Sequence, residues 1–149
     1  MSAPQRTISL DGDWWVAQWS GAPYDGAVVG DDLSWLKARV PGAVHYDLVR
    51  AGRLENPLAS QKAAADAAWV ADSDWLYRRT FTLDKTVFPV ARPVFSFESI
   101  DTYADIWLNG VMVGSSANMF RPCRLAVDPA LLRQGENSLL VHVKAHQRM

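Results

Sequence analysis

Residues 104–114 constrain the fold more than any other stretch of this sequence. They read Ala104-Asp-Ile-Trp-Leu108, then Asn109-Gly110, then Val111-Met-Val-Gly114. Asn-Gly tolerates the positive φ angles of a type I′ turn, and the twist of that turn matches the twist of paired strands. A two-residue reversal between two apolar runs predicts a β-hairpin.

The same alternation recurs along the chain. Residues 14–19 place Trp15, Ala17 and Trp19 on one face and Trp14, Val16 and Gln18 on the other. Residues 35–40 form a short strand that stops at Pro41-Gly42. Residues 76–83 put Tyr77, Phe81 and Leu83 on one face and Arg78, Thr80 and Thr82 on the other. Residues 94–100 aim Phe95 and Phe97 together. Residues 120–127 are a further strand, with Pro122 marking an edge or an irregular start. Residues 138–144 point Leu139, Val141 and Val143 inward.

Helical signals are few. From Ala43, the residues Val44, Leu48 and Ala51 share a side, and Gly52 stands where a C-terminal cap belongs. Residues 62–68 allow one helical turn. Asp128 can cap a short turn that starts with Pro129 and ends by Gly135. Residues 20–34 read as loop, and 53–74 as irregular. About eight short strands with one or two short helices predict an all-β, two-layer antiparallel sandwich of jelly-roll type.

The chain of 149 residues fits a single domain, 1–149, able to bury a core without staples. One cysteine, Cys123, allows no internal disulfide and no Cys-based zinc site. The net charge of −1, without a basic block, argues against a nucleic-acid surface. No apolar stretch approaches the roughly 20 residues that span a bilayer, so no membrane partner is expected. Residues 1–10 carry no secretory signal pattern, and the expected location is the cytoplasm.

Familiar catalytic motifs are missing: there is no G-x-S-x-G elbow, P-loop or G-x-G-x-x-G. His142 and His146 are four apart, but in a strand that spacing separates them by about 13 Å, too far to share a metal. The carboxylate pairs Asp11/Asp13, Asp31/Asp32, Asp72/Asp74 and Asp101/Asp105 read as turn formers and solvated groups. No cofactor and no metal are expected.

Four segments together resemble glycoside hydrolase family 2, and within it the β-mannosidases. The first is Val40-Pro-Gly-Ala-Val-His-Tyr-Asp-Leu-Val-Arg-Ala-Gly52, and the second is Trp69-Val-Ala-Asp-Ser-Asp-Trp-Leu-Tyr-Arg-Arg-Thr-Phe81. The third is Phe97-Glu-Ser-Ile-Asp-Thr-Tyr-Ala-Asp-Ile-Trp-Leu-Asn-Gly110, with 113–122 following it. The fourth spans 131–141. The resemblance implies a galactose-binding-domain-like jelly roll at the start of a longer retaining exo-β-mannosidase. It also implies an immunoglobulin-like domain and a TIM barrel elsewhere in that polypeptide, the barrel holding both catalytic glutamates. No catalytic residue is then expected in this chain. The chain departs from the pattern at 59–66, where a G-x-N-E-like stretch is usual, and at Ala117 and Ala126, where Asp is common.

The resemblance makes Asp74, Trp75 and Asn118 the candidates for substrate binding. Trp75 could stack on a sugar ring, and Asp74 or Asn118 could bind a hydroxyl. Alternatively Trp75 fills the core, Asp74 caps a loop and Asn118 stabilises a turn. Asp101, Thr102 and Asn109 are expected to shape the start of the hairpin and its turn. Implied partners are β-mannosides or another carbohydrate, and the C-terminal domains of the same polypeptide. The sandwich is expected to want a closing strand, leaving a sheet edge open to a second copy. Competing readings are a freestanding carbohydrate-binding module and a purely structural domain of another family 2 glycosidase.

Overall fold

A computed structural model describes residues 6–19, 33–86, 88, 90–100, 103–118 and 120–145. In chain order the strands are β1 (Gly12–Trp19), β2 (Leu36–Val40), β3 (Asp74–Leu83), β4 (Val94–Phe97), β5 (Ala104–Leu108), β6 (Val111–Ser116), β7 (Cys123–Ala126) and β8 (Gly135–Val143). Two short helices, α1 (Val44–Arg50) and α2 (Gln61–Asp66), lie between β2 and β3. Single 3-10 turns occupy Ala68–Val70 and Pro129–Leu131.

Six strands form one antiparallel sheet in the order β2-β1-β3-β8-β5-β6, and β4 pairs with β7 in a second. The expected all-β sandwich is present. The hairpin is present too: Leu108 pairs with Val111, Asn109 has φ +50° and Gly110 has φ +83°. Both turn residues are left-handed, as a type I′ reversal requires.

The large sheet turns Trp14, Val16, Trp75, Ile106, Leu139 and Val141 into the core. Each large aliphatic side chain buried there contributes roughly 1.5–3 kcal/mol. Two different structures cover this face. At one side, Leu48 of α1 and Val70 join the core, α1 packs on β2, and the Trp75 indole donates to the Val70 carbonyl at 2.9 Å. At the other side, the two-stranded sheet packs Phe95 edge-on against Phe81 at 6.1 Å. There β6 and β7 come so close that a Cβ on Gly114 would lie 2.6 Å from the Leu125 side chain.

Several local expectations are sharpened. The helix α1 ends as its glycine foretold: Arg53 N–H bonds Leu48 C=O at 2.8 Å and Gly52 N–H bonds Val49 C=O at 3.0 Å, with Gly52 at φ +73°. This is a Schellman ending. Its buried side carries Asp47 and Leu48, and Ala51 is exposed. Residues 53–74 are more ordered than their composition suggested. Ser60 accepts from Ala63 N–H at 3.0 Å and so starts α2. Gly135 begins β8 at φ +96° instead of ending the 129–131 turn. β7 starts only after Pro122, which has no N–H to pair. The expected 20–34 loop lies mostly outside the described residues, as do Asp31, Asp32, Asp101, Thr102 and His146.

One strand departs from simple alternation. β8 sits between β3 and β5, and it buries Leu140 and His142 as well as Leu139 and Val141. On the outer face Ala17, Leu76 and Asp74 are buried beside them.

Candidate functional site

Asp74 and Trp75 are consecutive in β3, so their side chains leave opposite faces of the sheet. Trp75 points inward, where its ring lies 5.9 Å from that of Trp69. It is 5% exposed, and its N–H is satisfied by Val70. Asp74 points outward yet is only 4% exposed. One carboxylate oxygen meets His142 Nε2 at 2.9 Å, and the other accepts from Ala145 N–H at 2.8 Å. Asp74 thus ties the start of β3 to the end of β8.

Asn118 follows β6 and is exposed. Its side-chain oxygen accepts from Phe120 N–H at 2.8 Å, an Asx-type turn. The structure therefore does not gather the three candidates around one pocket. Asp74 and Trp75 shape the end of the sheet from opposite faces, and Asn118 is the one whose side chain meets solvent.

His142 also belongs to this end of the sheet. Its neighbour across the register is Asp105. Burial pushes the Asp105 carboxyl up, but Lys144 Nζ at 2.8 Å, the Ser115 hydroxyl at 2.8 Å and the charges of Lys144 and His142 outweigh it. They hold the carboxyl below its usual range. The pairing of β3 with β8 sets Leu76 opposite His142, which brings Asp74 diagonally near it. Only that register could have shown the Asp74–His142 contact, because 68 residues separate the two in sequence.

Elsewhere, Asp47 is buried beside Tyr77. Burial raises the Asp47 carboxyl although Arg39 N–H and the Arg50 guanidinium both bind it. Burial, then the Asp47 charge, raises the Tyr77 hydroxyl well above its usual value. No group of three or more His, Cys, Asp or Glu side chains suited to a metal occurs among the described residues.

Asn109 does more than turn the hairpin. Its amide donates to Leu131 C=O at 2.8 Å and to Asn137 Oδ1 at 3.0 Å, while its oxygen accepts from Ser138 N–H at 2.8 Å. Asn137, fully buried, also receives Arg133 N–H and donates to the Arg133 and Gly135 carbonyls. This end of the sheet is locked by amides.

Residues 15–149 match the family model described as the glycosyl hydrolase 2 galactose-binding domain-like domain. The chain belongs to this family. It is 30% identical over 146 residues to "Beta-mannosidase B" of Thermothelomyces thermophilus, covering 98% of this chain and 16% of that protein. It is 35% identical over 108 residues to "Beta-mannosidase B" of Aspergillus terreus, covering 71% of this chain and 12% of the relative. Among solved structures, the β-D-mannosidase of Dictyoglomus thermophilum matches with TM-score 0.81 and 33% identity, over 95% of this chain and 16% of that one. The family 2 chain described here thus corresponds to the N-terminal, galactose-binding-like domain of the β-mannosidase members. It spans about a sixth or less of the relatives it matches.

Proposed function

We propose that this chain serves as the non-catalytic N-terminal domain of a retaining exo-β-mannosidase, which removes terminal β-mannose residues. In this reading it packs on the catalytic barrel and borders its pocket. The observation that carries the reading is the match to β-mannosidases over nearly the whole chain but only a small share of theirs. Retaining hydrolysis needs two carboxyl groups about 5–5.5 Å apart across the sugar. The carboxylates seen at the Asp74 end are instead engaged by His142, Lys144 and Ser115.

Of the three candidates, substrate contact is assigned to Asn118, because its side chain is exposed while Asp74 and Trp75 are buried and engaged by His142, Ala145 and Val70. Pairing of two copies along β6, where Val111 and Met112 are exposed, is part of the same proposal.

The test is direct. The pure 149-residue chain should release no aryl alcohol from an aryl β-mannoside, and steady turnover would sink the reading. In a full-length enzyme carrying this segment, Asn118→Ala should raise KM for β-mannosides. Unchanged kinetics would remove Asn118 from the pocket.

A further inference from the structure

The outer face of the large sheet carries a groove of about 460 Å³, further along β3 from Asp74 and Trp75. Its lining comes from three neighbouring strands: Asp13 and Trp15 on β1, Arg78 and Thr80 on β3, and Glu136 and Ser138 on β8. The register explains the grouping. Trp15 lies opposite Arg78, and Thr80 lies opposite Ser138. Residues two apart on a strand share a face. Three strands at about 4.8 Å spacing therefore offer a surface roughly 10 Å wide, enough for a pyranose ring.

The lining differs in what is already engaged. The Arg78 guanidinium sits 4.2 Å from the centre of the Trp35 ring. Arg79, at the groove's edge, gives one nitrogen to the carbonyls of Leu10, Asp11 and Asp13. Both guanidinium groups thus hold the protein together. The Asp13 and Glu136 carboxylates and the Thr80 and Ser138 hydroxyls make no such contact in the described structure. The Trp15 indole is 43% exposed. What the groove offers a ligand is thus an aromatic face, two acceptor carboxylates and two hydroxyls. Aromatic faces take up apolar C–H surface, and carboxylates accept hydrogen bonds from hydroxyl groups. The charges of Arg78 and Arg79 balance those of Asp13 and Glu136, so the groove has no net charge to favour an ionic ligand.

We infer that this groove is a binding subsite for a neutral pyranose ring, stacked on Trp15 and held by Asp13, Glu136, Thr80 and Ser138. The inference does not depend on the enzyme reading above, since it concerns the outer face alone.

Titration of the ¹⁵N-labelled 149-residue chain with methyl β-D-mannopyranoside, β-1,4-mannobiose and sodium glucuronate tests it. The Trp15 indole N–H resonance should shift and saturate with the neutral sugars, with Kd on the order of millimolar. Trp15→Ala and, separately, Glu136→Gln should each weaken binding by about tenfold or more while the remaining spectrum keeps its dispersion. Both positions are exposed, so both variants should fold. No shift at Trp15 with either neutral sugar at about 50 mM would overturn the inference. So would shifts confined to the surroundings of Asn118, which would leave the enzyme reading intact. Tighter binding of glucuronate than of the mannoside would overturn the assignment to a neutral ring.

Discussion

Asn137 shows how much one side chain can hold. It is buried, and it joins the turn at 133–135 to the hairpin amide of Asn109. Replacing it with Ala leaves the Arg133 N–H and carbonyl unpaired. Asn137→Ala is expected to cost about 2–4 kcal/mol, measured by urea unfolding, with the hairpin amides losing hydrogen-exchange protection first. Asp105 makes a second, pH-dependent case. Its carboxyl is held below the usual range in the folded chain, so the unfolded chain binds a proton more readily. Its contribution is complete above the ordinary Asp value of about 4 and is lost as pH falls through the lowered folded value. Lys144→Met should shrink the stability difference between neutral and acidic pH, by less than about 1 kcal/mol because Lys144 is partly exposed. An unchanged difference would show that Ser115 and His142 hold the carboxylate without Lys144.

At the scale of elements, two glycines separate backbone cost from steric cost. Gly52 has φ +73° and open space around it, so Gly52→Ala should cost about 1 kcal/mol through the left-handed backbone alone. Gly114 is different, because any side chain there meets Leu125 where β6 approaches β7. Gly114→Val should cost about 1–3 kcal/mol, and Leu125→Ala in the same chain should recover part of it. Thermal unfolding of the single and double variants decides the matter. The strands themselves were legible, because a period of two and an Asn-Gly reversal are local signals. The covering of Leu140 and His142 was not. A strand in the middle of a sheet is buried on both sides, and its position in the sheet is set by partners far away in sequence. The Asp74–His142 contact was hidden for the same reason. Trp75 was ambiguous because a tryptophan pattern is the same whether the ring faces a sugar or Val70.

At the scale of the whole molecule, the layer opposite the large sheet has a double nature. Residues 43–70 cover one half of the inner face, and β4 with β7 cover the other. Leu48→Ala, in the helical half, is expected to cost about 2–5 kcal/mol in global stability if both halves unfold together. Separate transitions by tryptophan fluorescence and far-UV dichroism would show two units instead. The order of the large sheet has a consequence for synthesis. β1 pairs with both β2 and β3, and β5 pairs with β6, but only β8 bridges the two groups. Among the described strands β8 is also the last to leave the ribosome. A nascent chain stalled before residue 135 has left the tunnel can carry only the two unjoined groups, each with a bare flank that neighbouring chains could pair with. Ribosome-bound chains should therefore stay sensitive to protease until β8 emerges, and gain resistance in one step when it does.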